Sequence, residues 1–186
     1  IGFSPIGLGV SFPNGSDIIV SRLSANGGNL LASTYIGGSG NDGLNTAQKL
    51  KRNYADEVRG EIDIDQNNNI YLATSTYSTD FPITSSFQQN NNGNQEGCIV
   101  KMDNQLSTII WSAYLGGDKD DAIYSLAMDK NDNVFVTGGT TSDNFPVSTN
   151  AYQNSYLDSL KADAFITHIS SDGNTIINST YFGSEF

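Results

Sequence analysis

The chain has 186 residues, 37% of them hydrophobic, with 20 acidic against 9 basic side chains and a formal net charge of −11. This balance excludes a nucleic-acid binder, which needs a basic stripe, and argues against anionic lipid surfaces. The single cysteine, Cys98, rules out an internal disulfide, and no apolar run reaches the ~18 residues of a spanning helix.

In chain order, residues 1–15, with Pro5-Ile6 and Phe12, read as the tail of a connection from an earlier repeat. Two strands are expected at Ile18–Leu23 and Leu30–Ile36, separated by the turn Asn26-Gly27-Gly28. Residues 44–58 interrupt the pattern as an insertion. Strands follow near Ile62–Ile64 and at Ile70–Thr76, with Asp65–Asn69 between them. The tract Gln88–Gln95 reads as a polar, mobile loop. The same four-strand series then recurs at Cys98–Met102, Ile109–Leu115, Tyr124–Met128 and Val134–Thr140. Its first two members recur again at Phe165–Ile169 and Ile176–Phe182. All are rich in Ile, Val, Tyr, Phe and Thr, as pleated surfaces prefer.

The recurrence is an internal repeat. Asp17–Gly38, Glu96–Gly117 and Asp163–Gly183 align without a gap, which superposes Tyr35, Tyr114 and Tyr181 and the following Gly37, Gly116 and Gly183. Ile62–Pro82 and Leu126–Pro146 align likewise, matching Asp65 with Asp129 and Phe81-Pro82 with Phe145-Pro146. The first strand is apolar on both faces, which implies a sheet covered on both sides. A four-stranded antiparallel sheet stacked between copies of itself is a β-propeller blade. The expected fold is therefore all-β, a partial propeller of about two and a half blades. Its units are 16–94 with the insertion 44–58, 95–160, and the first half of a third at 161–186. Closure takes ~4–8 blades, so the chain reads as part of a larger chain or assembly.

Few side chains suggest chemistry. His168, the one histidine, aligns with Arg22 and Lys101 and reads as a solvated strand residue. Cys98 aligns with Ile19 and Phe165 and reads as a core position. Trp111 aligns with Ala32 and Asn178; that variability suggests a rim position, where an exposed Trp can anchor a partner, against the more ordinary reading of packing between blades. Asp63, Asp65, Asn67 and Asn69 have the spacing that opens a calcium loop, although Asn68 and Thr74 stand where such a loop has Gly and Glu. Asn41-Asp42 and Asp120-Asp121 follow the Gly-Gly pairs; their recurrence favours a turn role over acid–base catalysis. The insertion carries Lys49, Lys51 and Arg52, the densest positive charge in the chain, and is expected to be a removable loop that steers an acidic partner.

At Ser33–Gly38 (STYIGG), Ser112–Gly117 (SAYLGG), Ser179–Gly183 (STYFG), Asp129–Pro146 and the aromatic-Gln pairs Phe87-Gln88 and Tyr152-Gln153, the sequence resembles the bacterial SBBP β-propeller repeat family. The resemblance implies a secreted or cell-surface protein, outer-membrane associated, of a kind frequent in the Bacteroidetes, with no shared catalytic residues. The expected role is a non-enzymatic module for protein or glycan interaction or adhesion, with calcium as the one metal suggested. Alternatives are a structural accessory or exported substrate of a type IX secretion or gliding-motility assembly, and a glycosidase or lyase on a propeller scaffold. The enzyme alternative requires unique polar residues converging at one end of the channel, whereas here the polar residues recur in register.

Overall fold

A computed structural model describes residues 15–157 and 160–184. The connection expected at 1–15 therefore lies, apart from Gly15, outside the described residues. The strands match the expected ones closely. β1 (Ile18–Leu23) and β2 (Leu30–Ile36) form a two-stranded sheet. β3 (Glu61–Ile64), β4 (Ile70–Thr76), β5 (Glu96–Met102) and β6 (Ile109–Leu115) form a four-stranded sheet in sequence order. β7 (Asp121–Met128), β8 (Val134–Thr140), β9 (Asp163–Ile169) and β10 (Ile176–Phe182) form a second. Every pairing within a sheet is antiparallel.

The sheets divide the chain at a different phase from the sequence units. Each complete sheet takes its first two strands from the end of one unit and its last two from the start of the next. The final segment is thus the outer half of the second complete sheet, and the half sheet is β1–β2 at the other end. The physical reason is the Gly-Gly turn. After β2 and after β6 it carries the chain away from its sheet to begin the next one, whereas sequence periodicity is the same wherever the cut is made.

The superposition of the three tyrosines is realised in the pairing. Ile19 faces Tyr35, Cys98 faces Tyr114 and Phe165 faces Tyr181. The Tyr114 hydroxyl donates to the Ser78 carbonyl at 2.7 Å, and that of Tyr181 to the Ser142 carbonyl at 2.9 Å. Each ties an outer strand to the loop that leaves the second strand of its own sheet. The aromatic-Gln pairs serve the same strand. Backbone carbonyls of Gln88 and Gln153 accept from Tyr114 and Tyr181 N–H, and their side-chain oxygens accept from Gly116 and Gly183 N–H.

Two layers of apolar side chains separate the sheets. Tyr71, Ala73, Ile99 and Trp111 of the first complete sheet pack against Ile123, Leu126, Val136, Phe145 and Phe165 of the second. On its other face, Leu72, Cys98, Val100 and Tyr114 meet Val20 and Ile36 of the half sheet. The first complete sheet is therefore covered on both sides. Cys98 occupies the core position expected for it, and burial raises its thiol pKa.

Trp111 takes the packing position between sheets and not the rim position that would have let it anchor a partner. It is buried, edge-on to Tyr71 at 6.0 Å, and its indole N–H donates to the Ser171 carbonyl at 3.0 Å. Gly173 lies over the ring; a Cβ there would come within 2.4 Å of Trp111 Cδ2. The residue type varies between units because the space between sheets is filled from both sides, and a Gly opposite leaves room for the Trp. Trp111→Ala should cost about 3–5 kcal/mol, read as a lower urea midpoint at unchanged slope. Tyr114→Phe, which orphans a buried carbonyl, should cost about 1–2 kcal/mol in the same measurement.

Candidate functional site

Two features recommend themselves as sites, and the geometry separates them. The first is the junction at each Gly-Gly turn. Asp121 Oδ2 accepts from Gly117 N–H at 2.7 Å and from the Ser142 hydroxyl at 2.8 Å. Asp42 Oδ2 accepts from Gly38 N–H and the Ser78 hydroxyl at the same two distances. A second carboxylate stands beside each. Glu96 Oε2 and Asp121 Oδ2 lie 1.8 and 2.5 Å from where a Gly116 Cβ would sit, and Asp17 Oδ1 and Asp42 Oδ2 lie 2.3 and 2.8 Å from that of Gly37. These oxygens occupy the volume of a side chain, so the position must be glycine.

The tract Gln88–Gln95, expected to be mobile, wraps this junction. Asn92 and Gly93 N–H groups donate to Glu96 Oε1 at 2.9 and 3.0 Å, and Gln95 is fully buried. Among the described residues, Glu96 Oε2 and Asp121 Oδ1 have no hydrogen-bond partner. Burial, reinforced by the Asp121 charge, pushes Glu96 up to about 8, and burial pushes Asp121 up to about 6. Both side chains are shut off from solvent, so no substrate reaches this carboxylate pair. It interlocks the sheets.

The second feature is the insertion, which is a strap and not a removable decoration. Asn45, Ala47 and Leu50 are buried, and Ala47 and Leu50 pack on Ala122 of β7. Gln95 grips the strap twice: its Oε1 accepts from Thr46 N–H at 3.0 Å, and its Nε2 donates to Asn45 Oδ1 at 2.9 Å. The Tyr124 hydroxyl donates to the Leu50 carbonyl. A 3₁₀ turn, Tyr54–Val58, closes the strap behind the Asn53 cap, and Asp56 accepts from Arg52 and Asn53 N–H. Those N–H donors, the Arg52 one foremost, hold the Asp56 carboxyl below its usual range.

The basic side chains are placed unequally. Lys51 is paired with Glu57 at 2.6 Å, and the Lys49 and Arg52 side chains are exposed. Arg59, just beyond, pairs with Asp56 at 3.1 Å and lies 5.4 Å from the Tyr124 ring centroid. Lys49, Arg52, Arg59 and Tyr124, with Asp56, Asp163 and Gly139, line a cleft of about 280 Å³ between the strap and the second complete sheet. Leu50 fits there because the sheet presents Gly139, whose Cβ would approach it to 3.0 Å.

The residues read as a calcium loop do not converge on a cation. Asp65 caps its own turn, with Oδ1 accepting from Asn67 and Asn69 N–H and Oδ2 from the Asn69 amide at 2.8 Å. The Lys101 ammonium stands 3.1 Å from Asp65 Oδ2, in the place a cation would take. Asp63 lies on β3 and accepts from the N–H of Ile64. Asp129, Asn131 and Asn133 repeat the same turn. Nor is His168 simply solvated: its ring lies flat on Phe135 at 4.0 Å, and its Nε2 is 3.7 Å from Asp129. The sequence showed neither the Glu96–Asp121 pair nor the grip of Gln95. The shared place of Asp17, Glu96 and Asp163 in the alignment was the available signal.

Residues 110–146 match a family model described as SBBP, a β-propeller repeat. The match runs from β6 of one sheet through β8 of the next, so the repeat it defines also straddles two sheets. No curated protein matches the chain.

The raised carboxyl groups set a pH dependence. The folded state holds protons that the unfolded chain has released, so their stabilising contribution is full below about pH 4 and falls as pH rises through 6 and 8. The melting temperature should decline from pH 5 to pH 9, and Glu96→Gln, which needs no proton, should flatten that decline. A steeper decline in Glu96→Gln would contradict the assignment. Leu50→Ala should cost about 2–4 kcal/mol, whereas Lys49→Ala should stay within about 0.5 kcal/mol in the same denaturation series.

Proposed function

We propose that this SBBP-repeat propeller protein is a non-enzymatic interaction module of a secreted or cell-surface protein. On this reading it receives an acidic group of a protein or glycan partner at the strap cleft. The observation that carries it is the exposure of Lys49 and Arg52 on a strap fastened to its neighbours through Asn45, Ala47 and Leu50. A cation held on a rigid element loses little freedom when a partner arrives. The surrounding chain is acidic, with a net charge of −11, so the strap is where an anionic group is least repelled. Tyr124 adds an aromatic wall, and Arg59 the face of a guanidinium held by Asp56, to a cleft sized for one side chain or one sugar unit. The extracellular placement rests on the family resemblance. The non-enzymatic reading rests on recurrence, since Asp42 and Asp121 make the same bonds at both junctions and a catalytic constellation is used once.

The test is charge reversal at Lys49 and Arg52, leaving the Lys51–Glu57 pair intact. Titrations with polygalacturonate and with polyglutamate should show binding that weakens as salt rises from about 20 to 150 mM. Lys49→Glu with Arg52→Glu should weaken it by roughly tenfold or more at low salt, without lowering the melting temperature by more than a degree or two. Unchanged binding at low salt would overturn the proposal.

A further inference from the structure

The carboxyl pair between the two complete sheets and the strap meet at one residue. Gln95 precedes Glu96 in the chain, and its side chain is fully buried. Its Oε1 accepts from Thr46 N–H at 3.0 Å and from Ala47 N–H at 3.4 Å. Its Nε2 donates to Asn45 Oδ1 at 2.9 Å and to the Asp121 carbonyl at 3.1 Å. In return, Asp121 N–H donates to the Gln95 carbonyl at 2.8 Å. The backbone that carries the two carboxyl groups is therefore the backbone that holds the start of the strap.

The two carboxyls meet with no donor between them. Both crowd the point where a Gly116 Cβ would stand, and each has one oxygen without a partner among the described residues. At the other junction, Asp42 Oδ1 accepts from the Thr76 hydroxyl. Thr140, in the place of Thr76, instead turns its hydroxyl to the Ser142 carbonyl at 3.5 Å. Among the described residues no basic side chain pairs with either group. Lys119, whose carbonyl abuts Gly93, directs its ammonium to Asp143 at 3.2 Å. Asp120 adds negative charge beside Asp121, and the nearby Tyr77 and Tyr181 hydroxyls are raised by burial and stay neutral. An ionised carboxyl only accepts, so two that face each other in a dry site are held together by a proton on one of them. Burial raises both groups, Glu96 to about 8 and Asp121 to about 6.

We propose that a proton shared by Glu96 and Asp121 latches the strap, and that its loss to base frees Asn45–Ala47 from Gln95 while the sheets stay paired. When the proton passes to water or hydroxide, two anions are left facing each other. Glu96 Oε1 is bonded to Asn92 and Gly93 N–H, so the segment 92–96 moves away as one piece and takes Gln95 with it. The rest of β5 is held by its pairing with β4 from Ile70 to Ser75 and with β6. In the open form both carboxyls meet water and ionise in the ordinary range, whereas the closed form keeps its proton. Opening therefore grows as pH rises toward 8 and levels off above it. The latch acts on the strap whatever the strap receives.

Amide hydrogen exchange of the full 186-residue protein, corrected for intrinsic base catalysis, reads the latch directly. From about pH 6 to about pH 8.5, protection at Thr46 and Ala47 should fall roughly tenfold or more, and amides in the middle of the β4–β5 pairing should change far less. The side-chain carboxyl carbon of Glu96, followed by NMR, should titrate at the same midpoint. Glu96→Gln, which gives Asp121 a permanent donor, should hold the Thr46 and Ala47 protection nearly constant over this range. Where that variant does not fold, the two wild-type titrations decide the matter. Constant protection at Thr46 and Ala47 in the wild type would overturn the proposal, and so would a Glu96 carboxyl that titrates in the ordinary range. A loss of protection spread evenly over the sheets would overturn it as well, because the opening would then be global. The last contrary result is a wild-type melting temperature at pH 8 raised by calcium or potassium chloride over choline chloride at equal ionic strength, with no such rise in Glu96→Gln. A metal cation, and not a proton, would then hold the pair.

Discussion

A buried aspartate at the start of each new sheet is the interaction on which the arrangement depends. Asp42 and Asp121 each gather donors from the Gly-Gly turn before them and from the loop that leaves the second strand of the sheet they begin. A carboxylate taken out of water is costly unless its oxygens are bonded, so only an arrangement that brings those donors together is tolerated. The turn, the inner strand and the loop are therefore fixed by one group. Asp80 and Asn144 complete the lock, accepting from Ser39 N–H and Asp118 N–H at 2.7 and 2.9 Å. The second glycine of each pair is explained by these side chains, as the first is by the carboxylates.

From this anchor the sheets stack. Each complete sheet is apolar on both faces, so no sheet is satisfied alone and stability is shared between neighbours. The interface is stitched at its inner edge too, where Glu61 of β3 accepts from Leu126 N–H of β7 at 2.9 Å and Gln66 donates to the Lys130 carbonyl at 3.0 Å. The two termini of the stack differ in kind. At one end the half sheet leaves Ile62 and Ile64 uncovered. At the other, Phe135 and Ile166 stand 39% and 45% exposed, where their counterparts Tyr71 and Ile99 are fully buried.

The strap changes the local electrostatics without changing the scaffold. It adds basic groups to an acidic protein, among them Lys51 paired with Glu57 and Arg59 paired with Asp56. The exposed pair, Lys49 and Arg52, is held by a segment that packs like core at Ala47 and Leu50. A repeat architecture can accept such an insertion because Gly138-Gly139 on the receiving strand leaves space that the first complete sheet fills with Thr74-Ser75.

The sequence by itself determined the strands, their turns and the equivalence of Tyr35, Tyr114 and Tyr181. These are local or periodic properties: alternation, turn chemistry and a repeated spacing survive in one dimension. It also marked Cys98 as core, because a position held by Ile and Phe elsewhere is apolar whatever its neighbours. Only the tertiary structure decided where the repeat is cut into sheets, because a periodic chain looks the same from any starting residue while hydrogen bonds join particular strands. It alone buried Trp111, since the room for that ring comes from Gly173 in the next sheet. It alone turned the calcium-like run at Asp65 into a turn cap facing Lys101, paired Glu96 with Asp121, and fastened the strap through Gln95. Each of these depends on side chains far apart in sequence meeting across an interface. Burial, pairing and pKa are set by that meeting and not by the neighbours along the chain.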